Sequence, residues 1–364
     1  EDIAFTFVVK ITDVTDEVNN RIKSGEITEE QSFDRQTLGR IGKELFKADD
    51  IEGKEYMYSQ LLPYFEGNKF YLIYYKKYTD VRLVATPPNS IGKFGGETDN
   101  WIWPRHTGDF SIWRVYAGED NEPAEYSTSN KPYEPKRHFT VSTKGVDEGD
   151  FTMIYGFPGN TQEYVISDAV EYVATTSDPM KIALRTQRLD IISAAQAKSA
   201  EVRIAYAAIY SGIANSWKKW QGEVLGLNRL GTVAKKQAYE REFEKWAATK
   251  PEYASLMSDM HKAYAEVIPE YYMRELFTES IATINAYTFA RSLYASVLRA
   301  EAEGKTFDVE TAHQNFLKTY NQTIDQAIAR RMVAEFCDRV APERMPADLK
   351  TQIKYYGGAE KYVD

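Results

Sequence analysis

Asp109, in the stretch Thr107-Gly108-Asp109-Phe110, is a carboxylate placed for proton chemistry. It follows a glycine and opens an alternating run, Phe110, Ile112, Trp113 and Val115, that predicts a strand. An acid at a strand mouth is well placed to accept the Nδ1 proton of a histidine. It then stabilises the imidazolium that forms when the ring deprotonates a serine. Taken alone, the same pattern describes a turn or cap residue. The surrounding stretch, GGETDNWIWPRHTGDFSIWRV from Gly95 to Val115, gathers three Trp, three Gly and three carboxylates beside Pro104 and His106. Bulky rings hold few rotamers, and glycines accept backbone angles other residues avoid, so this composition predicts a rigid loop.

Other chemistries find less support. No His-Glu-x-x-His motif and no pair of cysteine ligands occurs, so no zinc site is expected, and no metal or other cofactor is assigned. The acidic stretches ADDIEG and GGETDN do not fit the calcium loop of an EF-hand. Gly222, Gly226 and Gly231 have the wrong spacing for a phosphate-binding fingerprint. Cys337 is the single cysteine; its place in the apolar run MVAEFCDRV predicts a packing thiol. A net charge of −9 argues against nucleic acid as partner. No apolar run reaches the roughly 20 residues of a membrane helix, and EDIAFTFVVK lacks the form of a signal peptide.

Two kinds of element must position these residues. The first part is strand-rich: FTFVVKI, KFYLIYYKKYTDVRLVATPP, DFSIWRVYAG, RHFTVS and DFTMIYGFPG carry β-branched and aromatic density. Glu66-Gly67-Asn68 predicts a hairpin turn. Gly156-Phe157-Pro158-Gly159 predicts a turn at a strand end. Thr28 to Phe46 reads as one helix capped by Thr28, with Glu29 and Glu30 in its first turn. From Met180 onward apolar residues recur at helical spacing, as in Leu184, Leu189, Ile192 and Ala195, or Phe289, Leu293, Val297 and Leu298. Pro251 and Pro269 are expected near helix starts. The expected fold class is α+β: a β domain over 1–165, then a mostly α-helical domain over 166–364. Trp103 and Trp113 are expected in the core, and Arg105 on a loop carboxylate or carbonyl.

FGGETDNWIWPRHTGDF, KPYEPKRHFTVS, IYGFPGNT and YSGIANSWKKWQGE together closely resemble the bacterial dipeptidyl-peptidase 7 and 11 family, and the likeness spans nearly the whole chain. The resemblance implies a serine exopeptidase that releases dipeptides from free peptide N-termini. Its fold would be a chymotrypsin-like β-barrel pair with an inserted helical domain, so 1–165 would be a partial barrel domain. The Asp of TGDF, here Asp109, would be the catalytic triad acid. Asn100 and Trp101 of DNW and Asn215 of ANSWK would hold the substrate α-ammonium. The family also implies a homodimer in the periplasm or at the cell surface of a Gram-negative bacterium. His106, only three residues before Asp109, belongs to the fixed loop and is not expected to be the base.

A serine peptidase also needs a nucleophile and a base. Ser211-Gly212 sits in the helical run AIYSGIAN without a glycine two residues before it, and His138, His261 and His313 all follow Asp109. The expectation is therefore a central fragment, with the catalytic His and Ser supplied by flanking sequence and no hydrolysis by these residues alone. The competing expectation is a peptide-binding or scaffold protein that kept the fold without catalysis.

Overall fold

A computed structural model describes residues 3–154 and 162–364. The expected turn at Gly156-Phe157-Pro158-Gly159 lies outside the described residues. The chain divides into two compact units, Glu1–Phe94 with Thr107–Ile154, and Gly95–His106 with Tyr155–Asp364. The loop between Phe94 and Thr107 thus belongs to the second unit.

The first unit runs β1 (Phe5–Asp13), α1 (Thr15–Lys23), α2 (Arg35–Ala48), β2 (Met57–Tyr64), β3 (Lys69–Tyr78), β4 (Val81–Ala85), the single turn α3 (Asn89–Gly92), β5 (Ile112–Ala117) and β6 (Lys131–Pro132). β3 is the centre of an antiparallel sheet ordered β1-β3-β2. Its alternate residues Phe70, Leu72 and Tyr74 are buried with Val18, Leu38 and Ile41 of α1 and α2, because strand side chains alternate faces. The β2–β3 hairpin closes at Tyr64 opposite Lys69, around the expected turn. Phe65, Glu66 and Gly67 there all take positive φ, and at +84° Gly67 stands where a side chain is disfavoured. A second sheet is ordered β4-β5-β6. Among the described residues the strands form these two open sheets and no closed barrel.

Three local expectations need correction. The helix expected over Thr28 to Phe46 is two pieces. Thr28 and Gln31 exchange bonds, Gln31 N to Thr28 Oγ1 at 3.2 Å and Thr28 N to Gln31 Oε1 at 2.9 Å, around the 3-10 turn Glu30–Phe33. Asp34 then caps α2 by accepting from Thr37 N at 2.7 Å. An aspartate cap just before an apolar helical stripe, Leu38, Ile41 and Leu45, restarts the helix. RHFTVS and the described part of DFTMIYGFPG are irregular rather than strands. Phe139, Val141, Phe151 and Ile154 are all more than four-fifths exposed, and no described strand pairs with them. β-propensity without a ladder partner does not make a strand.

The second unit is helical: α4 (Ser167–Tyr172), α5 (Asp178–Gln196), α6 (Ala200–Ala205), α7 (Ala207–Arg229), α8 (Thr232–Ala247), α9 (Leu256–Glu279), α10 (Asn285–Ala302), α11 (Val309–Leu317), α12 (Gln322–Arg339), α13 (Ala347–Tyr356) and α14 (Ala359–Val363). A π turn, Val173–Ser177, joins α4 to α5. The core unites Leu184, Leu189 and Ile192 of α5 with Ile213 of α7, Leu276 of α9 and Ile328, Met332 and Phe336 of α12. The stripe expected on α10 is weaker: Phe289 stacks on Phe316 at 4.2 Å, while Leu298 is exposed. Pro269 falls inside α9 and not near its start. Packing of Tyr272, Met273 and Leu276 on the core carries the helix through the missing N–H. No described helix is long and apolar enough to cross a membrane.

Candidate functional site

The site in the helical unit is built from loop 95–106 and the middle of α7. The loop opens with Gly95 at φ +75°, followed by a 3-10 turn, Gly96–Thr98. A Cβ added to Gly95 would meet Asp99 Oδ2 at 2.0 Å, so the Asp99 carboxylate folds directly over that glycine. Backbone bonds from Thr98 N to Gly95 O (3.2 Å), Asn100 N to Glu97 O (3.3 Å) and Ile102 N to Asp99 O (3.2 Å) wind the loop tightly. Trp101 takes φ +57°. For a bulky residue this region costs about 1–3 kcal/mol and persists only where the surroundings hold it.

Asn215 supplies that hold. Trp101 Nε1 donates to both the backbone carbonyl and the side-chain Oδ1 of Asn215, each at 3.0 Å, and Asn100 Nδ2 donates to the same Oδ1 at 3.0 Å. The indole N–H is only a donor, so the Asn215 atom it faces must be the oxygen. Asn100 must then present its nitrogen to that oxygen and turn its own Oδ1 away. A carbonyl oxygen has two lone pairs, so Asn215 Oδ1 is filled. Asn100 Oδ1 keeps accepting capacity; Arg105 Nη1 reaches it only at 3.5 Å, the outer limit of a hydrogen bond. One helical turn before Asn215, Ser211 Oγ donates to Glu97 Oε1 at 3.0 Å.

α7 is itself braced from below. Arg185 of α5 donates to the Ile213 carbonyl at 3.1 Å and pairs doubly with Glu279 of α9 at 2.8 and 2.7 Å. Trp217 Nε1 donates to Thr186 Oγ1 at 2.8 Å. The Arg185 guanidinium lies 4.4 Å from the Trp220 ring centre. These contacts flank Asn215 on both sides in sequence, so the residue sits on a fixed stretch of helix. Arg188 shares the Glu279 carboxylate at 3.8 Å, and burial pulls its guanidinium down to about 10 against that opposing charge.

The structure therefore brings Asn100, Trp101 and Asn215 together. Asp109 lies in the first unit, exposed, three residues before β5 begins. Its approach is set by Thr107 Oγ1 donating to Phe94 O at 2.8 Å and Gly108 N donating to Ile91 O at 3.1 Å. Among the described residues the Asp109 carboxylate accepts no hydrogen bond. Trp103 is 88 % exposed and not a core residue, because the loop directs it to solvent; Trp113 is half-buried and donates to Ser111 Oγ at 2.8 Å. His106 is exposed in the loop. His261 is bonded through Nδ1 to Asp168, which ties α9 to α4. Cys337 is half-buried beside Ile284, Ala329 and Val333, and burial pushes its thiol up. Among the described residues no group of three or more His, Cys, Asp or Glu could hold a metal ion.

Sequence reasoning did not single out the Glu97–Ser211 bond. The one available signal is that Ser211 and Asn215, four apart, must share a helix face.

The family model described as Peptidase S46 matches residues 1–364. The chain is 38% identical over 378 residues to a protein named dipeptidyl-peptidase 7 from Phocaeicola vulgatus, covering 100% of this chain and 52% of that one. It is 36% identical over 360 residues to an Asp/Glu-specific dipeptidyl-peptidase from Flavobacterium psychrophilum, covering 96% and 50%. Among solved structures, DPP11 of Porphyromonas endodontalis in complex with the dipeptide Arg-Glu superposes with a TM-score of 0.78 at 31% identity, over 99% of this chain and 53% of that one. The chain thus spans about half the length of the relatives it matches.

Proposed function

The chain belongs to the peptidase S46 family, and on that premise we propose that it forms the central segment of a serine dipeptidyl-peptidase. In this reading the enzyme removes dipeptides from peptides with a free N-terminus. Asp109 is the triad acid, orienting a histidine and stabilising its imidazolium. That histidine and the serine nucleophile come from sequence outside these residues, which accords with the half-length coverage of the relatives. The first unit's open sheets would then be part of a chymotrypsin-like barrel.

The observation that carries the proposal is the convergence of Asn100 and Trp101 on Asn215. An exopeptidase must recognise a charged amine, and an ammonium is a triple donor that seeks oxygen acceptors at charge-assisted strength. With Asn215 Oδ1 occupied, Asn100 Oδ1 is the acceptor offered, and Asn215 aims it. Trp101, half-exposed and locked at two points, forms the adjoining wall. One relative, at 36% identity, is named Asp/Glu-specific and the other, at 38%, carries no specificity in its name, so substrates with acidic and with non-acidic second residues both belong in the test.

The experiment compares cleavage of matched peptides with free and N-acetylated termini by the complete gene product. The proposal expects the acetylated peptides to be cleaved about 10- to 100-fold less efficiently, the cost of leaving an aimed acceptor without its charged donor. Equal cleavage removes the amine clamp, and no cleavage of either removes the peptidase reading. The family resemblance further supports a homodimer in the periplasm or at the cell surface, which light scattering and cell fractionation test.

A further inference from the structure

Loop 95–106 is fastened to α7 at two points, and only one of them contains the groups assigned to the amine. Glu97 Oε1 accepts from Ser211 Oγ at 3.0 Å, and Asn100 and Trp101 meet Asn215 at 3.0 Å. Ser211 and Asn215 are one turn apart on the same face, so the anchors are spaced about 5–6 Å along the helix axis. A loop held at a single point swings about it; a second point along the same axis removes that freedom. The loop needs this, because Trp101 is held at φ +57° and the Asn100 oxygen must face one direction.

We propose that Glu97 and Ser211 are positioning residues for the amine site, a second staple that keeps Asn100 and Trp101 pre-organised before substrate arrives. Neither touches substrate. Their contribution is to reduce the ordering cost that binding otherwise carries. Glu97 sits in the 3-10 turn directly behind Asn100, and its carboxylate makes this bond charge-assisted, about twice the strength of a neutral one. Ser211 is part-buried at the bond, which shields it from competing water.

The inference rests on the amine-clamp reading, and its test separates the two. Ser211→Ala, Ser211→Thr and Glu97→Gln are made in the complete gene product and assayed with free and N-acetylated peptides. Ser211→Ala is expected to raise KM for free-amine substrates by roughly 3- to 10-fold with kcat within about twofold, and Glu97→Gln, whose amide oxygen still accepts from Ser211 without the charge, by a smaller factor of about 2 to 3. Ser211→Thr, which keeps the hydroxyl, restores KM. Melting temperatures of the three variants identify any that fail to fold. If the unmutated enzyme discriminates free from acetylated peptides but KM is unmoved in folded Ser211→Ala and Glu97→Gln, the staple is refuted and the clamp stands. A fall in kcat at unchanged KM likewise overturns it. If the unmutated enzyme shows no discrimination, the clamp itself is refuted.

Discussion

Removing the Asn215 side chain at the Cβ tests the junction most sharply. Asn215→Ala deletes the oxygen that accepts from Asn100 Nδ2 and Trp101 Nε1, both at 3.0 Å. The indole keeps its bond to the Asn215 backbone carbonyl, also at 3.0 Å, so Trp101 is loosened rather than freed. Asn100 Nδ2 loses its acceptor, and its amide keeps only the long contact from Arg105 Nη1 at 3.5 Å. Exposed neutral hydrogen bonds are each worth about 0.5–1.5 kcal/mol. Two lost, one partly replaced, give about 1–2 kcal/mol against the aligned loop, or a factor of roughly 5–30 in the population of the binding-competent arrangement. The helix survives, because Asn215 is exposed and alanine is the best helix former. Steady-state kinetics of the complete gene product on a free-amine peptide should show KM raised by that factor, and the melting temperature should hold. Asn215→Asp keeps an acceptor for both donors and adds a negative charge, so it should retain most of the affinity. An Asn215→Ala enzyme with KM within twofold of the parent, or an Asn215→Asp enzyme as impaired as the alanine variant, refutes the account of the junction.

Three further outcomes are expected. Asp109→Ala should lower kcat by a factor of at least about 1,000 with KM and melting temperature little changed, since triad members act as a unit; a kcat within tenfold removes Asp109 from the triad. Glu279→Ala leaves the partly buried Arg185 and Arg188 guanidinium groups without their shared carboxylate, and urea titration should show about 2–4 kcal/mol lost. Asp178, 2 % exposed with Oδ2 unpartnered, is pushed up to about 6 by burial, against the pull of Lys181. A carboxyl raised in the folded state favours folding fully below its unfolded value near 3.8, and that contribution is lost as pH rises through about 6. Asp178→Asn should therefore stabilise the chain by up to about 3 kcal/mol at neutral pH and by nothing near pH 4. Lys181 keeps Glu275 at 3.1 Å in the variant. Chemical denaturation at both pH values checks the sign, and equal effects at the two contradict it.

Where local chemistry decides structure, the amino-acid order was legible. The β-branched and aromatic density of KFYLIYYKKY and the Glu66-Gly67-Asn68 turn mark β3 and its hairpin from neighbouring residues alone. The stripe Leu184, Leu189 and Ile192 specifies the buried face of α5 in the same way. Legibility fell where a competing local signal stood nearby, as when Asp34 restarted the helix that Thr28 was expected to begin. It fell further where the outcome needs a distant partner. RHFTVS has a strand's residues but no described strand beside it, and Trp103 has a core residue's side chain on a loop that points outward. The site shows the limit most clearly. Asn100 and Asn215 are 115 positions apart, and nothing in helix or strand periodicity joins them. Only the resemblance of DNW and ANSWK to a known family paired them in advance. The Glu97–Ser211 bond, with no such motif to mark it, emerged only from the geometry.

The most direct measurement is a crystal structure of the complete gene product with a dipeptide product bound. The account places the ligand's ammonium nitrogen within about 3 Å of Asn100 Oδ1, with Asn215 still accepting from Asn100 and Trp101. An ammonium bound away from loop 95–106, or an Asn215 that has released both donors, contradicts it.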